Sequence, residues 1–526
     1  MPLGQLFALT TPPKVREVHM SDRKLRWLGL GLVATAGAGV VGLSAMMSPA
    51  FAHADDIGDV IGGSGLPIPG PGYVEAADEL FLNNPGTHLY PDLTFYQATA
   101  ENPFGNGLFT PEGAYPLFGQ GVQQLFYNYP LSADGLAGPS TSVGQGASIL
   151  ESTILGNQAA GDASTVFGYS QSSTLSGITM QMLEADGVTA NTAGAPQFLL
   201  IADPSAPNGG LLERFNGFEN IVSPNNVDPL NLPSVGIAFD GATPSDDFVT
   251  NMYSLEYDGF TDFPRYPLNF LSDLNAFLGI ETLHGTYLNG GVDGSGPTAE
   301  QIANAILLPG SADLGATDSL TNYYMIDETA PLVSLLPRSL QELLGPDLTY
   351  LINLGYGDGT LGYSVTADSP ANVATPFGLS PDVSPTTMFD NLVTDTQQGF
   401  QNLMTDTDPF AASATASASA GADAATAIPA AAPTLTEIVN ALSSAASTAY
   451  STLLPLTDIA NFLSTSLPAY DVSLFTENLQ VGDLTDALGL PLAANTALDT
   501  LAAGFATEIL TNAASQIAAD FSSIGF

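Results

Sequence analysis

Ser170 stands in Val166-Phe167-Gly168-Tyr169-Ser170-Gln171-Ser172, where a short apolar run meets Gly-x-Ser-x-Ser and a helical pattern follows over residues 171–184. A lone serine is a poor nucleophile at neutral pH. It needs a base to take its proton, an acid to orient the base, and N–H donors where the oxyanion develops. A serine on a sharp strand-to-helix turn needs small residues two before and two after it, because larger side chains there collide with the neighbouring strand and helix. Gly168 and Ser172 meet that demand. The chemistry such a serine would perform is acyl transfer through a covalent intermediate.

The chain has four histidines, His19, His53, His88 and His284. A triad on an α/β-hydrolase sheet runs serine, acid, histidine in chain order, and His284 alone follows Ser170. His88 lies in a loop-like Asn-Pro-Gly-Thr-His-Leu-Tyr-Pro stretch and reads as structural or substrate-adjacent. The acid belongs in the loop after a late strand. Residues 248–257 read as that strand, and Asp258 and Asp262 both follow it. Asp262, deeper in the loop and fixed by Phe263-Pro264, is the preferred orienting acid, with Asp258 the alternate. For the oxyanion, one N–H comes from Gln171, just after the nucleophile. A second comes from the glycine turn Gly62-Gly63-Ser64-Gly65, at Ser64.

These residues need a scaffold. Apolar runs at 166–167, 198–201, 235–239 and 249–257 read as strands. The helical periodicity at 143–158, 171–184, 268–278 and 298–308 reads as helices between them. Strands separated by helices predict an α/β-hydrolase fold with a mostly parallel central sheet. Residues 55–366 are read as this domain. An Ala/Ser/Pro-rich linker is expected over 367–433. A helical C-terminal region follows over 434–526, where apolar residues recur at spacings of three and four from Leu498 to Phe521. Helices that pack on the main domain are the favoured reading there.

Composition narrows the function. Of eight lysines and arginines, five lie in the first 26 residues, and the formal net charge is -45. Such a body repels nucleic acid, so no nucleic-acid partner is expected; a neutral acyl ester or glycolipid suits it better. With no cysteine, disulfides, thiol catalysis and cysteine-ligated metals are excluded. No metal or organic cofactor is required. Residues 1–54 carry a basic segment, an apolar stretch over 27–47 and small-x-small sites at Ala50-Phe51-Ala52 and Ala52-His53-Ala54. They are read as a signal peptide or N-terminal membrane anchor, giving a secreted or cell-envelope protein with membrane or cell-wall association.

Five stretches in order carry a family resemblance: Gly62-Gly63-Ser64-Gly65-x-Pro67, the Ser170 motif, Pro207-Asn208-Gly209-Gly210, Glu256-Tyr257-Asp258-Gly259-Phe260-Thr261-Asp262-Phe263-Pro264, and His284-Gly285-x-Tyr287. Together they resemble the PE-PPE domain, a cutinase-like serine α/β hydrolase of mycolic-acid-bearing actinobacteria. The chain departs from many members in having a signal-like segment where they carry a PE or PPE helical domain. The resemblance implies a Ser-Asp-His triad and an esterase or lipase. Its alternatives are an acyltransferase that moves acyl chains onto trehalose-type envelope glycolipids, or a non-catalytic envelope protein on the same scaffold.

Overall fold

The computed structural model describes residues 56–84, 142–215, 231–232, 237–238, 241–406 and 434–522. The expected export segment, His88 and the low-complexity stretch 410–433 lie outside the described residues. In chain order the elements are β1 (Asp56–Val60), α1 (Pro71–Ala77) with a π turn at Asp78–Leu82, α2 (Ser142–Ala160), β2 (Ala163–Tyr169), α3 (Gln171–Ala185), β3 (Gln197–Ile201) and α4 (Leu211–Arg214). Then come the short antiparallel pair β4 (Asn231–Leu232) and β5 (Ile237–Ala238), β6 (Thr250–Leu255), α5 (Phe270–Thr282), α6 (Ala299–Ala303), β7 (Ile306–Leu307) and β8 (Thr321–Ile326). Helices α7 (Pro331–Ser334), α8 (Arg338–Asn353), α9 (Pro385–Thr405), α10 (Leu435–Ser451), α11 (Leu453–Asn461), α12 (Leu467–Val481) and α13 (Leu484–Ser522) complete the chain.

Six strands form one sheet in the order β1-β2-β3-β6-β8-β7, parallel except for β7. Side chains alternate across it with period two. Val166, Phe198, Leu200 and Met252 join one core with α2 and α3 residues. Phe167, Leu199, Ile201, Tyr253 and Leu255 join the opposite core with Val74, Phe81 and Tyr287. Both faces are covered, which is why these strands read as continuous apolar runs. The architecture is the predicted α/β-hydrolase fold with a mostly parallel sheet and a helical C-terminal region.

Local readings shift in three places. The helix expected over 298–308 stops at Ala303. A Thr298–Gln301 capping box starts it, and residues 306–307 pair with β8 instead. Of the strand expected at 235–239, residues 237–238 are described, as β5. The expected linker 367–433 contains α9, 21 residues long and opened by a Ser384 cap on the Thr387 N–H; Gly399 of α9 lies so close to α8 that a Cβ would meet the Leu343 carbonyl at 2.0 Å.

The C-terminal helices do pack on the hydrolase core. Ala497, Leu501, Phe505 and Ile509 of α13 share one apolar cluster with Phe263, Ala276 and Ile280. Phe505 meets Phe277 of α5 edge-on, ring centroids 5.7 Å apart. Gly504 leaves that ring room: a Cβ there would stand 2.4 Å from it. Burying a side chain such as Phe505 stabilises by about 1.5–3 kcal/mol. The face it covers belongs to α5, the helix that leads directly to His284. Among the described residues, no helix is long and apolar enough to cross a membrane.

Candidate active site

The site lies at the carboxyl ends of three adjacent parallel strands, where ligands bind in open α/β sheets. Each strand ends in a non-glycine residue with positive φ: Ser170 after β2 (φ 59°), Ala202 after β3 (φ 52°) and Tyr257 after β6 (φ 66°). Such backbone costs of order 1–3 kcal/mol per residue and persists where surrounding structure over-determines it. At Ser170 the determinants are visible. Its N–H donates to the Ile201 carbonyl at 3.1 Å, and its own carbonyl receives the Ser173 N–H at 2.9 Å. A Cβ on Gly168 would stand 2.9 Å from the Ser172 carbonyl and 3.0 Å from Leu200. Ser172 is fully buried, and its hydroxyl accepts the Tyr169 N–H at 2.6 Å. Serine therefore replaces the more usual second glycine with a hydrogen bond that fastens the elbow.

The elbow aims Ser170 at His284. Ser170 Oγ lies 2.8 Å from His284 Nε2. The opposite ring nitrogen, Nδ1, lies 2.9 Å and 3.1 Å from the two carboxylate oxygens of Asp258. Asp258 is fully buried and His284 is 7% exposed. Both backbone N–H groups at the end of α5, Leu283 and His284, bond the Gly279 carbonyl, at 2.8 and 3.1 Å. Gly279 itself sits against the acid loop, where a Cβ would meet the Tyr257 carbonyl at 1.8 Å. Helix α5 thus brings histidine and acid loop together.

Asp262, the preferred acid, is corrected by this geometry. The N–H groups of Thr261 and Asp262 both donate to the Asp258 carbonyl, at 3.0 and 2.7 Å. One tight turn therefore separates the two aspartates. Asp258 faces the imidazole, whereas Asp262 Oδ2 turns back to accept the Tyr257 N–H at 3.0 Å. Burial raises its carboxyl well above the usual range, against the pull of the Tyr257 N–H; the charge of Glu256 raises it further, that of Arg214 lowers it, and that of Asp258 raises it.

Beneath this loop lies Arg214, fully buried. Its guanidinium donates to the Phe263 carbonyl at 3.1 Å, Asn208 Oδ1 at 3.0 Å, the Thr375 carbonyl at 2.5 Å and the Ser364 hydroxyl. Pro207-Asn208-Gly209-Gly210 is the cradle for that fork and for the acid loop. A Cβ on Gly209, at φ 138°, would meet the Thr261 carbonyl at 2.7 Å, and the Phe263 N–H bonds the Gly209 carbonyl at 2.7 Å.

The glycine turn reaches the elbow as well. A Cβ on Gly63 would lie 3.3 Å from the Tyr169 carbonyl and 3.7 Å from Ser170 Cβ. That brings the segment bearing Ser64 beside the nucleophile, while Gln171 begins α3 directly after it. Helix N-termini favour developing negative charge. Sequence reasoning assigned no role to three aromatic neighbours. The ring of Phe260 lies 4.6 Å from that of His284, the Tyr169 hydroxyl donates to the His284 carbonyl, and Tyr287 bonds Asp258 at 2.8 Å. Only their proximity to the motif residues could have flagged them.

Glu256, two residues before Asp258, is pushed up to about 7, chiefly by burial; N–H donation from Gly362 and Glu328 lowers it, and the charges of Asp327 and Glu328 raise it. A carboxyl raised in the folded state favours folding fully below its ordinary 4.5, and this contribution is lost as pH rises through about 7. The window therefore runs from about pH 4.5 to 7 and is worth about 3 kcal/mol. Glu256→Gln should flatten the fall in urea stability between pH 5 and pH 8 relative to wild type. Equal slopes in the two proteins would remove Glu256 as the source.

Residues 106–357 match the PE-PPE domain, a span that contains Ser170, Asp258 and His284. The fold and site define an α/β protein of hydrolase type. The chain is 37% identical over 518 residues to PPE family protein PPE28 of Mycobacterium tuberculosis H37Rv, covering 93% of this chain and 71% of that relative. It belongs to the PE-PPE domain family. Esterase PE16 of the same organism is 36% identical over 284 residues, 52% of this chain and 45% of its own length. PE family protein PE3 is 35% identical over 304 residues, 56% of this chain and 54% of its own. The chain thus spans about half the length of these last two. No solved structure matches it.

Proposed function

We propose that the protein is an exported serine esterase or lipase acting on acyl esters of neutral or glycolipid character. Family membership and the esterase-named relative support a hydrolase. The observation that carries the finer reading is the unbroken chain from Ser170 Oγ through His284 to the buried Asp258. In this reading Ser170 Oγ attacks the ester carbonyl and its proton passes to His284 Nε2. Asp258 holds the ring with Nδ1–H toward itself and stabilises the imidazolium. N–H groups at Ser64 and Gln171 receive the oxyanion. Collapse expels the alcohol, which takes the proton from Nε2, and leaves an acyl-serine. Water, deprotonated by the same imidazole, releases the acid. A body with so few cations favours uncharged substrates over phosphoesters. The basic-then-apolar segment before residue 54 supports export.

The test is a p-nitrophenyl ester series from acetate to palmitate, beside labelling with a fluorophosphonate. Hydrolysis together with an adduct mapped to Ser170 is the expected result. A folded protein that neither turns over esters nor takes the probe would overturn the reading in favour of a non-catalytic scaffold.

A further inference from the structure

Tyr287 is fully buried, and its phenol joins three parts of the site. The hydroxyl donates to Asp258 Oδ2 at 2.8 Å, the same oxygen that lies 2.9 Å from His284 Nδ1. It accepts the Leu255 N–H, from the last residue of β6, at 2.8 Å. The other carboxylate oxygen, Oδ1, receives the Phe260 N–H at 3.1 Å. The phenol therefore fixes the carboxylate from the strand side while the loop backbone fixes it from the other. We propose that Tyr287 is a positioning residue for the acid: it sets the angle at which Asp258 meets His284 and draws off part of the charge that the imidazole feels. This deepens the esterase reading and rests on it.

Two features make the phenol more than filler. Burial, and then the charge of Asp258, raise Tyr287 well above the ordinary tyrosine range, so it keeps its proton and serves as a donor. A phenylalanine would fill nearly the same space but would leave the Leu255 N–H without its acceptor, and buried N–H groups are rarely left so. Tyr169 provides an internal comparison. Its hydroxyl bonds the His284 carbonyl, so it anchors the histidine loop and gives the carboxylate no hydrogen bond, although the charge of Asp258 reaches it.

Removing the phenol oxygen leaves more negative charge on Oδ2. The imidazolium beside it is favoured, so the neutral base that Ser170 needs forms only at higher pH. For Tyr287→Phe we expect kcat on a p-nitrophenyl ester to fall about tenfold with KM within about twofold. The acid limb of the pH–rate profile should move up by about half a pH unit. Tyr169→Phe should lower kcat without moving that limb. The same displacement should appear in the His284 imidazole titration, followed by NMR on protein labelled with 15N-histidine, a readout that needs no turnover. A limb and a titration both unmoved in a folded Tyr287→Phe would overturn the proposal, as would equal displacement by Tyr169→Phe. If the wild type hydrolyses no ester and takes no fluorophosphonate, the esterase reading falls separately, and the NMR titration alone decides the role of Tyr287.

Discussion

Ser170→Ala is expected to lower kcat/KM for ester hydrolysis by about 10⁴-fold or more, with no loss of folded protein. Among the described residues the hydroxyl's one hydrogen bond is to His284 Nε2, so its removal leaves that ring nitrogen without its partner while Nδ1 keeps Asp258. No buried donor is orphaned, and the urea midpoint should stay near that of wild type. Ser170→Gly separates site from scaffold further. Serine here holds φ 59° and ψ -118°, a conformation glycine adopts without strain. Ser170→Gly should therefore match Ser170→Ala in lost activity while holding or raising stability by up to about 1 kcal/mol, relief of strain opposing greater freedom of the unfolded chain. A nucleophile held in strained backbone predicts this split between activity and stability. An ordinary turn serine predicts that both substitutions are silent. Residual hydrolysis near wild-type level in Ser170→Ala would remove Ser170 as nucleophile.

The elbow was legible because its requirements are local. Strand, small flanks and helix fall within 23 consecutive residues from Ala163 to Ala185, and steric demand marks Gly168 and Ser172 directly. His284 was legible by scarcity. The choice between the two aspartates was not. Asp258 and Asp262 occupy one turn, and which carboxylate faces the histidine depends on the positive φ of Tyr257 and on a side chain folding back to its N–H. Neither leaves a trace in composition. Tyr287 and Arg214 escaped for another reason: apart from Asn208, six residues from Arg214, their partners lie 29 to 161 residues away in sequence, and no periodicity reports such pairings. β1 escaped because Asp-Ile-Gly-Asp-Val is a poor strand by propensity. Pairing along its whole length with β2 outweighs that deficit. The helix expected over 298–308 was cut short by the reverse effect, since residues 306–307 gain more from pairing with β8 than from another helical turn.

The paired variants Asp258→Asn and Asp262→Asn test the corrected assignment. Asp258→Asn should lower kcat by about 10³- to 10⁴-fold. An amide beside Nδ1 no longer enforces the tautomer in which Nε2 is free to accept from Ser170, and it supplies no charge to stabilise the imidazolium. Whichever oxygen becomes the NH2 also meets a donor already aimed at it, the Phe260 N–H at Oδ1 or the Tyr287 hydroxyl at Oδ2. Asp262→Asn should behave differently. Its carboxyl is raised well above the usual range by burial, so a neutral amide resembles the form the fold already favours. The amide oxygen can still accept the Tyr257 N–H. Activity within about tenfold of wild type is expected, because the substitution reaches His284 only through the shared turn. Ester hydrolysis rates, read beside urea midpoints for both variants, decide the matter. Large loss in Asp262→Asn with activity retained in Asp258→Asn would mean that the loop rearranges when substrate binds. An equal large loss in both, with folding intact, would mean that the turn acts as one unit and that the hydrogen bond of Asp262 to Tyr257 is what keeps Asp258 against the histidine.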